Sequence, residues 1–331
     1  TFFLLGCIMK NSFLVISFFC FTMFGCSSNS NYFSLDAEED TKDAVLESLK
    51  VASNNKDNPQ KAVKDSLTSN IVDVVSTSLA DRFTNQNSRT NININAQDEQ
   101  DVSGSIVNVM RLGEDTSNLT EFIQSSILYK KDRTTINIGG GQRYLSSDEK
   151  FIYGGNVFID YAPKYGHKRA SMGFEIKNSA FELTANKYFR ISDWEQGANN
   201  SKERVMNGHE IEIGGQVPFI PAAKLFVKNW KWDGNSDVKG YTYSLQVNRI
   251  INNFTIEAGV KDFDGSQDSE NFAFLTYRIP LSGDAQNINE KPFFSDNMFE
   301  STSVKIRLLE EVRRSNEIVY ESDFSTKAGG I

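Results

Sequence analysis

Cysteine and histidine are scarce in this sequence, and their absence from most of the chain excludes several kinds of site. The three cysteines (Cys7, Cys20 and Cys26) lie in the first 26 residues, and the two histidines are His167 and His209. The chain after Cys26 therefore contains no disulfide framework, cysteine metal site or thiol nucleophile. The histidines lie in separate segments, which disfavours a histidine-based catalytic centre. We expect neither an enzyme nor a bound cofactor.

Long apolar runs are also missing beyond the leader of the chain. Mean hydropathy is −0.41, and 39% of the residues are hydrophobic against 24% charged. A helical membrane protein would be far more apolar, and a disordered chain would have fewer aromatic residues than the 25 Phe and 11 Tyr present here. The net charge of −8 and the pI near 5.1 argue against nucleic acid as a partner, because nucleic-acid binding needs a basic surface.

Residues 1–26 resemble an export signal. Lys10 precedes an apolar stretch from Ser12 to Gly25, which has the length of a signal-peptide core and is too short to read as a spanning helix. Cys26 follows a small residue and precedes a serine, as in lipoprotein processing sites, so it is a candidate lipidation site. An ordinary cleavage site near a cysteine is the alternative. Because Thr1 is not a start residue, we expect the sequence to begin inside read-through or a fragment.

Residues 27–88 are predicted to be a periplasmic spacer with two short helices. The first covers Asp43 to Ala52. The second is better marked, because Asn58 suits the N-cap and Pro59 the first helical position. Apolar residues then recur at helical spacing from Val63 to Phe83. We expect this helix to pack against the rest of the protein. A membrane-surface helix is the weaker alternative, because the polar face is not rich in Lys or Arg.

From Arg89 to Leu281 apolar and polar residues alternate with a period of two, which predicts β-strands. The twelve candidate strands are Arg89–Asn95, Ser103–Leu112, Glu121–Lys131, Arg133–Tyr144, Phe151–Tyr161, His167–Lys177, Phe181–Ile191, Asn207–Val217, Pro221–Trp232, Gly240–Ile250, Phe254–Gly265 and Asn271–Leu281. Most approach the roughly ten residues that a tilted strand needs to cross a bilayer. We therefore predict an all-β fold: a twelve-stranded antiparallel transmembrane β-barrel of the outer-membrane type.

Charged and polar residues occupy one face of these strands, which predicts a wet lumen rather than a packed core. In the eighth strand, for example, Glu210 and Glu212 alternate with Ile211 and Ile213. A soluble sandwich would also alternate, but its polar face would be its outer surface. The residues predicted to face the lumen are Asn137, Asp160, Glu182, Asn186, Arg190, Glu212, Gln216, Gln246, Glu257 and Lys261.

Aromatic residues near strand ends predict girdles at the two membrane interfaces. They are Tyr144, Tyr161, Phe189, Trp194, Trp230 and Trp232. Gly139-Gly140-Gly141 lies inside a strand with no helix after it, so we predict a kink that curves the barrel and not a phosphate loop. Tight turns such as Asn178-Ser179 alternate with long polar loops such as Ser192–Met206, as periplasmic turns and external loops do.

Residues 282–331 continue the chain beyond the last predicted strand. Ser303 to Arg314 has helical character, and Asn316 to Tyr320 reads as extended. A short helix with charges of both signs suits a polar lumen, so we predict that this linker enters the pore. A helix docked at the periplasmic mouth is the alternative. The predicted pore residues are Arg307, Leu308, Glu311, Arg314, Asn316, Ile318 and Tyr320.

Seven segments between Arg89 and Tyr320 carry a resemblance to a known family. They are Asp132–Tyr144, Asn156–Tyr161, His167–Arg169, Leu183–Trp194, Asn207–Ile211, Val217–Pro221 and Leu309–Tyr320. In this order they resemble the β-domain of inverse autotransporters, the intimin and invasin family. The resemblance implies a twelve-stranded outer-membrane barrel and a linker that threads back through its pore. It also implies a C-terminal adhesin-like passenger, exported with the help of the barrel-assembly machinery and displayed outside the cell.

The predicted function is therefore an outer-membrane translocator and anchor, exported by a signal peptide and monomeric. Its expected partners are outer-membrane lipid, the barrel-assembly machinery and its own passenger, with no nucleic acid. The passenger is absent from this sequence, since Ala328 to Ile331 resembles a severed linker. The peptidoglycan-binding module that the family often carries does not fit into residues 27–88. The alternative function is a barrel-only, porin-like channel in which the tail rests near the pore.

Overall fold

The structure, a computed structural model, describes residues 88–97, 101–113, 118–131, 133–198, 201–248, 253–279, 293–323 and 326–327. The predicted leader with Cys26, the spacer helices and the junction that follows the last strand lie outside these residues. Within the described ranges, no helix has both the length and the apolar character needed to cross a membrane.

Twelve long strands form a closed antiparallel barrel. They are β1 (Ser88–Gln97), β2 (Asp101–Leu112), β3 (Leu119–Lys130), β4 (Arg133–Leu145), β5 (Ile152–Ala162), β6 (His167–Lys177), β7 (Phe181–Arg190), β10 (Asn207–Val217), β11 (Ile220–Asp233), β12 (Val238–Asn248), β13 (Phe254–Phe263) and β14 (Glu270–Arg278). Two short strands between β7 and β10, β8 (Glu195–Gln196) and β9 (Lys202–Val205), lie outside the wall. Consecutive wall strands are neighbours, and β1 closes the ring on β14, where Asn91 lies opposite Arg278. The predicted twelve-stranded antiparallel barrel is confirmed.

The wall has an apolar outer face and a polar inner face. In β5 the side chains of Tyr153, Val157 and Ile159 are exposed, whereas their neighbours along the strand, including Asn156 and Asp160, are buried. Successive side chains of a strand point to opposite faces of a sheet, so the alternation in the sequence becomes the two faces of the barrel. An outer face of this kind suits hydrocarbon.

The two mouths of the barrel differ. At one mouth, which we call the terminal end, β1 begins, β14 ends, and tight turns such as Pro218–Phe219 connect strands. The opposite mouth, the loop end, carries residues 191–198 and 201–206 with β8 and β9. These two strands join β15 (Tyr320–Ser322) and β16 (Thr326–Lys327) in a second sheet of order β16-β15-β9-β8. The sequence pattern did not predict this sheet, because strands so short show no periodicity.

The prediction that Trp230 and Trp232 belong to an outer girdle is wrong. Both lie inside the barrel, almost fully buried, in an apolar cluster with Tyr188, Met206 and Phe263. The two tryptophans share the strand parity of the buried lysines of β11, and parity decides the face. Among the other predicted girdle residues, those exposed on the outer face are Tyr144, Tyr161 and Phe189.

The predicted helix from Ser303 to Arg314 is also wrong. Only a single 3-10 turn, Lys305–Arg307, is helical, and the chain after it has no regular structure until β15 begins. The length of the segment explains the difference, because Leu308 to Tyr320 spans about 18 Å as an α-helix but about 40 Å when extended. The hydrocarbon core of a bilayer is about 30 Å thick, so only the extended form passes from mouth to mouth.

Candidate functional site

The segment from Ser303 to Ser322, which we call the linker, runs through the lumen from the terminal end to the loop end. Near its start, Leu308 packs against Leu145 and Ile152, which flank the β4–β5 turn at the terminal end. Near its finish, Tyr320 begins β15 in the sheet at the loop end. The residues predicted for the pore all lie along this passage.

Ion pairs hold the linker at the terminal end. The Arg307 guanidinium donates to the backbone oxygen of Asn178 at 2.7 Å and to the carboxylate of Glu182 at 2.9 Å. Glu310 accepts from the same guanidinium at 3.0 Å. Glu182 also accepts from Lys224 of β11 at 2.6 Å. Cations and carboxylates therefore alternate where the linker enters the barrel.

Arg143 of β4 binds the backbone of the linker. Its side chain is fully buried and forms an ion pair with Glu175 of β6. Its Nη1 donates to the carbonyl oxygens of Leu308 and Glu310 at 2.8 and 2.7 Å. A guanidinium presents several donors in a fixed fork, so one side chain serves a carboxylate and two carbonyl groups together. These carbonyl groups thereby gain the partners that a helix would have supplied.

Arg313 reaches two carboxylates on separate strands. It pairs with Glu212 of β10 and, at 3.0 Å, with Glu257 of β13. Lys228 lies 3.4 Å from the Glu212 carboxylate, and the ring of Phe226 has its centroid 3.8 Å from the guanidinium carbon. The linker is thus tied to the wall on both sides of β11 and β12.

Arg314 points the other way and enters a buried cluster of charges. It pairs with Asp160 of β5 at 2.7 Å, and Arg169 of β6 contacts the same carboxylate at 2.8 Å. All three side chains are fully buried. Arg169 also donates to the carbonyl oxygen of Ser315 at 2.8 Å. Two buried guanidiniums, one from the linker and one from the wall, therefore share one carboxylate.

Asparagine side chains of the wall bind two more linker carbonyl groups. Asn186 of β7 donates to the oxygen of Arg313 at 2.9 Å, and Asn137 of β4 donates to the oxygen of Asn316 at 3.0 Å. Buried backbone groups need such partners, because leaving one unpaired costs the free energy of its desolvation. These neutral side chains thus pair linker carbonyl groups in addition to those bound by the arginines of the wall.

Beyond Leu308 the linker buries three more apolar side chains in pockets of the barrel. The pockets are formed by Val107, Val109, Phe122 and Phe158 around Val312, by Ala162 and Val205 around Ile318, and by Tyr188, Met206, Trp230, Trp232 and Phe263 around Val319. A slip of one residue would move Arg313 into the pocket of Val312. Alternating polar and apolar anchors therefore fix the register of the linker, as alternation fixes the register of strands.

Tyr320 closes the passage at the loop end. Its ring stacks on His167 with the centroids 5.9 Å apart, and the guanidinium of Arg133 lies 4.2 Å from its centroid. Glu203 of β9 accepts from Arg133 at 2.7 and 2.9 Å and lies 2.9 Å from Nε2 of His167. Side chains therefore add to the backbone pairing between β15 and β9.

Hydrogen bonds govern the protonation of Glu203 in this cluster. Burial alone would raise the pKa of Glu203, but the hydrogen bonds from His167 and Arg133 outweigh it and lower the pKa from 4.5 to about 2. A carboxyl whose pKa is depressed by folding stabilises the fold above its unfolded value. That contribution is lost as the pH falls through the folded value.

We therefore expect the loop-end sheet to loosen as the pH falls from 4.5 to about 2. Limited pepsin digestion across this range, scaled to a peptide substrate digested in parallel, should show increasing cleavage near Tyr320. Glu203→Gln has no carboxyl to titrate at this position. Its loop-end sheet should therefore be weaker at every pH, and the rise in cleavage between pH 4.5 and about 2 should vanish. A step that persists unchanged in Glu203→Gln would contradict the role assigned to this carboxylate.

The linker leaves part of the lumen open. A polar cavity of about 280 Å³ remains between the linker and the strands on the β1 and β12 side. Glu311 borders this cavity and accepts from Asn91 and Asn93 at 3.3 and 3.4 Å. Gln246 of β12 lines it as well. The lumen is thus occupied on one side by paired chain and on the other by free polar space.

Three predicted lumen residues lie away from the middle of the linker. Gln216 is at the terminal end, where its Oε1 accepts from the backbone N–H of Glu300 at 3.3 Å. Lys261 is buried in the wall with its Nζ 5.0 Å from the ring centroid of Trp230. Arg190 is half-buried at the loop end of β7. Across the described residues, no group of His, Cys, Asp or Glu is arranged to hold a metal ion.

Sequence reasoning missed three arginines of this site: Arg143, Arg169 and Arg313. A signal existed for the two wall residues. Arg143 has the same strand parity as Asn137, and Arg169 lies directly opposite Asp160 in the β5–β6 register. The sequence held no such signal for Arg313, because its position in a predicted helix does not indicate which side of the lumen it contacts. Its contacts with Glu212 and Glu257 depend on the extended conformation of the linker.

Comparison with known proteins places this geometry in a family. The family model described as inverse autotransporter, beta-domain, matches residues 32–316. That match includes every strand of the barrel wall and most of the linker.

Curated proteins with similar sequences include an intimin, an attaching and effacing protein homolog and an invasin. The intimin of Citrobacter freundii is 33% identical over 144 residues, which cover 42% of this chain and 15% of that protein. The putative attaching and effacing protein homolog of Escherichia coli (strain K12) is 35% identical over 109 residues, 32% of this chain and 37% of that protein. The invasin of Yersinia enterocolitica is 24% identical over 196 residues, 59% of this chain and 23% of that protein. The chain therefore spans a minor part of the length of these relatives.

A solved structure shares the fold. It is described as "Unveiling the Mechanism Behind the in-meso Crystallization of Membrane Proteins", and it aligns with a TM-score of 0.59 at 22% identity. The alignment covers 71% of this chain and 100% of that chain. At this identity the likeness concerns the barrel architecture.

Proposed function

We propose that this chain, which belongs to the inverse autotransporter β-domain family, anchors and exports a C-terminal adhesin-like passenger. The barrel lies in the bacterial outer membrane. The observation that carries the proposal is the linker, which enters the lumen at one mouth, leaves it at the other and is bound along the whole passage. A segment built in this way connects the two sides of a membrane.

The orientation follows from the connections between strands. Bacterial barrels have short turns on the periplasmic side and longer loops outside. The terminal end, with turns such as Pro218–Phe219, therefore faces the periplasm. The loop end, with residues 191–198 and 201–206, faces the exterior. The linker then runs outward, and whatever follows β16 is displayed at the cell surface.

Charge pairing supports a lumen built for this particular segment. The linker presents Arg307, Arg313 and Arg314, and the wall meets each of them with carboxylates. Removing one partner of a buried pair costs about 3–5 kcal/mol, so detaching the linker would expose several such costs at once. A passive porin-like channel, the alternative function, has no use for this pairing.

Further parts of the proposal concern partners. A closed wall leaves no free strand edge, which suits a barrel that works as a monomer. We infer from the family that the barrel-assembly machinery inserts it. The family is of the adhesin and translocator type, and we propose no catalysis. Lipidation of Cys26 stays a prediction, and palmitate labelling that leaves Cys26 unmodified would remove it.

Conductance across planar bilayers tests whether the linker plugs the pore. The full chain should show a small conductance, and deletion of residues 282–331 should raise it several-fold. Deletion of residues 324–331 alone is the matched control, because it keeps the whole linker from Ser303 to Ser322, and it should leave the conductance low. Equal, large conductance in all three chains would favour the porin-like channel.

The same chains test display. An epitope tag placed after Ile331 of the full chain should be cut by protease added to intact cells. A tag placed after Leu281 in the shortened chain should be protected, because β14 ends at Arg278 at the terminal end. A tag that is protected in both chains would contradict export, even if the conductance results hold.

A further inference from the structure

We propose that residues 293–299, which we call the rim segment, form a membrane-interface anchor that inserts aromatic side chains into the phospholipid leaflet at the terminal end. This goes beyond export and display, because it assigns a lipid-binding surface to the stretch just before the linker. It relies on the membrane position of the barrel, and the experiment below separates the two.

The chain from the rim segment to the linker follows the terminal rim of the barrel, turn by turn. The backbone N–H of Ser295 donates to Phe219 of the β10–β11 turn at 2.9 Å. The hydroxyl of Ser179 in the β6–β7 turn donates to the oxygen of Glu300. The N–H of Val304 then donates to Glu149 of the β4–β5 turn at 2.8 Å. The path therefore stays on the rim until Leu308 enters the lumen.

The rim segment exposes an unusual amount of apolar surface. Phe294 is 66% exposed, Met298 53% and Phe293 46%. Phe299 is exposed as well. Single exposed apolar residues are ordinary on soluble surfaces, but a contiguous group of this kind marks a binding surface. Four of the seven residues from 293 to 299 are exposed apolar residues.

Contacts show that this surface lies on the outer side of the wall. The ring of Phe299 packs against Phe181 with the centroids 5.1 Å apart. Phe181 starts β7 on its outward-facing parity and is itself 47% exposed. The rim segment is therefore continuous with the face of the barrel that contacts hydrocarbon. That continuity identifies the occupant as the same bilayer, at the depth where aromatic residues favour the interface.

The turn under the rim segment adds a further aromatic side chain to this surface. Phe219 has φ of +64°, a backbone conformation that bulky residues rarely adopt. Two backbone hydrogen bonds hold it there: its N–H donates to Met298 at 3.0 Å, and its oxygen accepts from Ser295 at 2.9 Å. Phe219 is 50% exposed, so the strained turn presents a ring at the membrane surface instead of hiding it.

Polar residues of the rim segment suit the headgroup layer. Asp296 and Asn297 are exposed between the two pairs of apolar residues. A segment that inserts rings while its polar atoms stay at headgroup depth lies in the interface and does not cross the membrane. Such an anchor would fix the height of the chain just before Val304, and so would hold the entrance of the linker against the barrel.

Spin-label accessibility in phosphatidylcholine vesicles tests the proposal. Nitroxides are attached to Phe294→Cys and, separately, to Met298→Cys, in a full chain whose Cys7, Cys20 and Cys26 are replaced by serine. Ser147→Cys, in the β4–β5 turn of the same rim, is the aqueous control. Ile213→Cys, on the outer wall and 61% exposed, is the lipid control. We expect the ratio of oxygen to nickel-complex accessibility at the rim segment to exceed that of Ser147 several-fold.

A label at Asn297→Cys keeps every apolar side chain in place. In the unaltered rim segment its ratio should lie between those of Ser147 and Ile213, as expected at headgroup depth. The ratio should fall to the Ser147 value when Phe293 and Phe294 are both replaced by serine, while the barrel keeps its heat-modifiable mobility on gels. Water-like ratios at positions 294, 297 and 298 in the unaltered rim segment, with a lipid-like ratio at Ile213, would overturn the anchor and leave the barrel intact. A water-like ratio at Ile213 would instead overturn the membrane position of the wall.

Discussion

Asp160→Asn is expected to lower the free energy of unfolding by about 3–5 kcal/mol, the range for removing one partner from a buried ion pair. Asp160, Arg169 and Arg314 have fully buried side chains, so the substitution leaves two guanidiniums without their shared counter-charge. Neither is able to recover its hydration without separating the linker from β5. Urea-induced unfolding of the barrel in detergent micelles measures the change.

A double-mutant cycle separates this effect from a general loss of packing. In the Asp160→Asn background, Arg314→Met should restore part of the stability, because it removes one of the stranded cations. Asp193→Asn, in the exposed loop between β7 and β8, is the charge-matched control and should leave the free energy of unfolding unchanged. If Asp160→Asn costs less than about 1 kcal/mol, as exposed pairs do, the buried cluster is not the anchor described above.

Gly139→Ala should prevent most of the protein from folding. A Cβ atom at this position would overlap two ring carbons of Phe158 and the backbone oxygen of Val157, because all three lie far inside ordinary contact distance. Phe158 is buried and helps to form the pocket of Val312, so its ring has no free space to move into. The fraction of heat-modifiable protein on gels after refolding measures the loss.

Gly155→Ala provides the matched control in the neighbouring strand. The nearest atom to a Cβ there is the backbone oxygen of Gly173 at 4.0 Å, so this substitution should fold like the parent. Adding Phe158→Ala to Gly139→Ala should recover only part of the folding, because it removes the ring but leaves the clash with the backbone oxygen of Val157. Equal folding of Gly139→Ala and Gly155→Ala would show that the absence of a side chain at Gly139 is unimportant.

The wall was predictable because one physical rule governs all of it. Lipid outside and polar groups inside impose a period of two, and strands such as β5 and β10 follow it residue by residue. The prediction for Trp230 and Trp232 fails because it rests on their position near the end of β11 and not on strand parity, which places both side chains inside the barrel. The sequence predicts that Gly139 curves the barrel, and the structure shows in addition that the lack of a side chain there leaves room for the ring of Phe158.

The linker was less predictable, because its conformation is decided by partners that lie far away in the sequence. The spacing of Val304, Leu308 and Val312 favours a helix in isolation, but their pockets are set by the barrel at different depths. Arg143 and Asn186 then supply the hydrogen bonds that a helix would have made for itself. Tertiary contacts override local propensity here, as they often do where propensity is weak.

The pairing of β15 has a mechanical consequence for the passenger display that we propose. Tension on the chain beyond Lys327 would first peel β16 from β15 one pair at a time, because the two strands form a hairpin. The force would then act on β15, which pairs antiparallel with β9. The C-terminal end of β9 continues directly into β10 of the wall. The backbone hydrogen bonds between β15 and β9 would be loaded in shear and would have to break together. The loop-end sheet would therefore yield in two stages before the force reached Arg313 and Arg314 in the lumen.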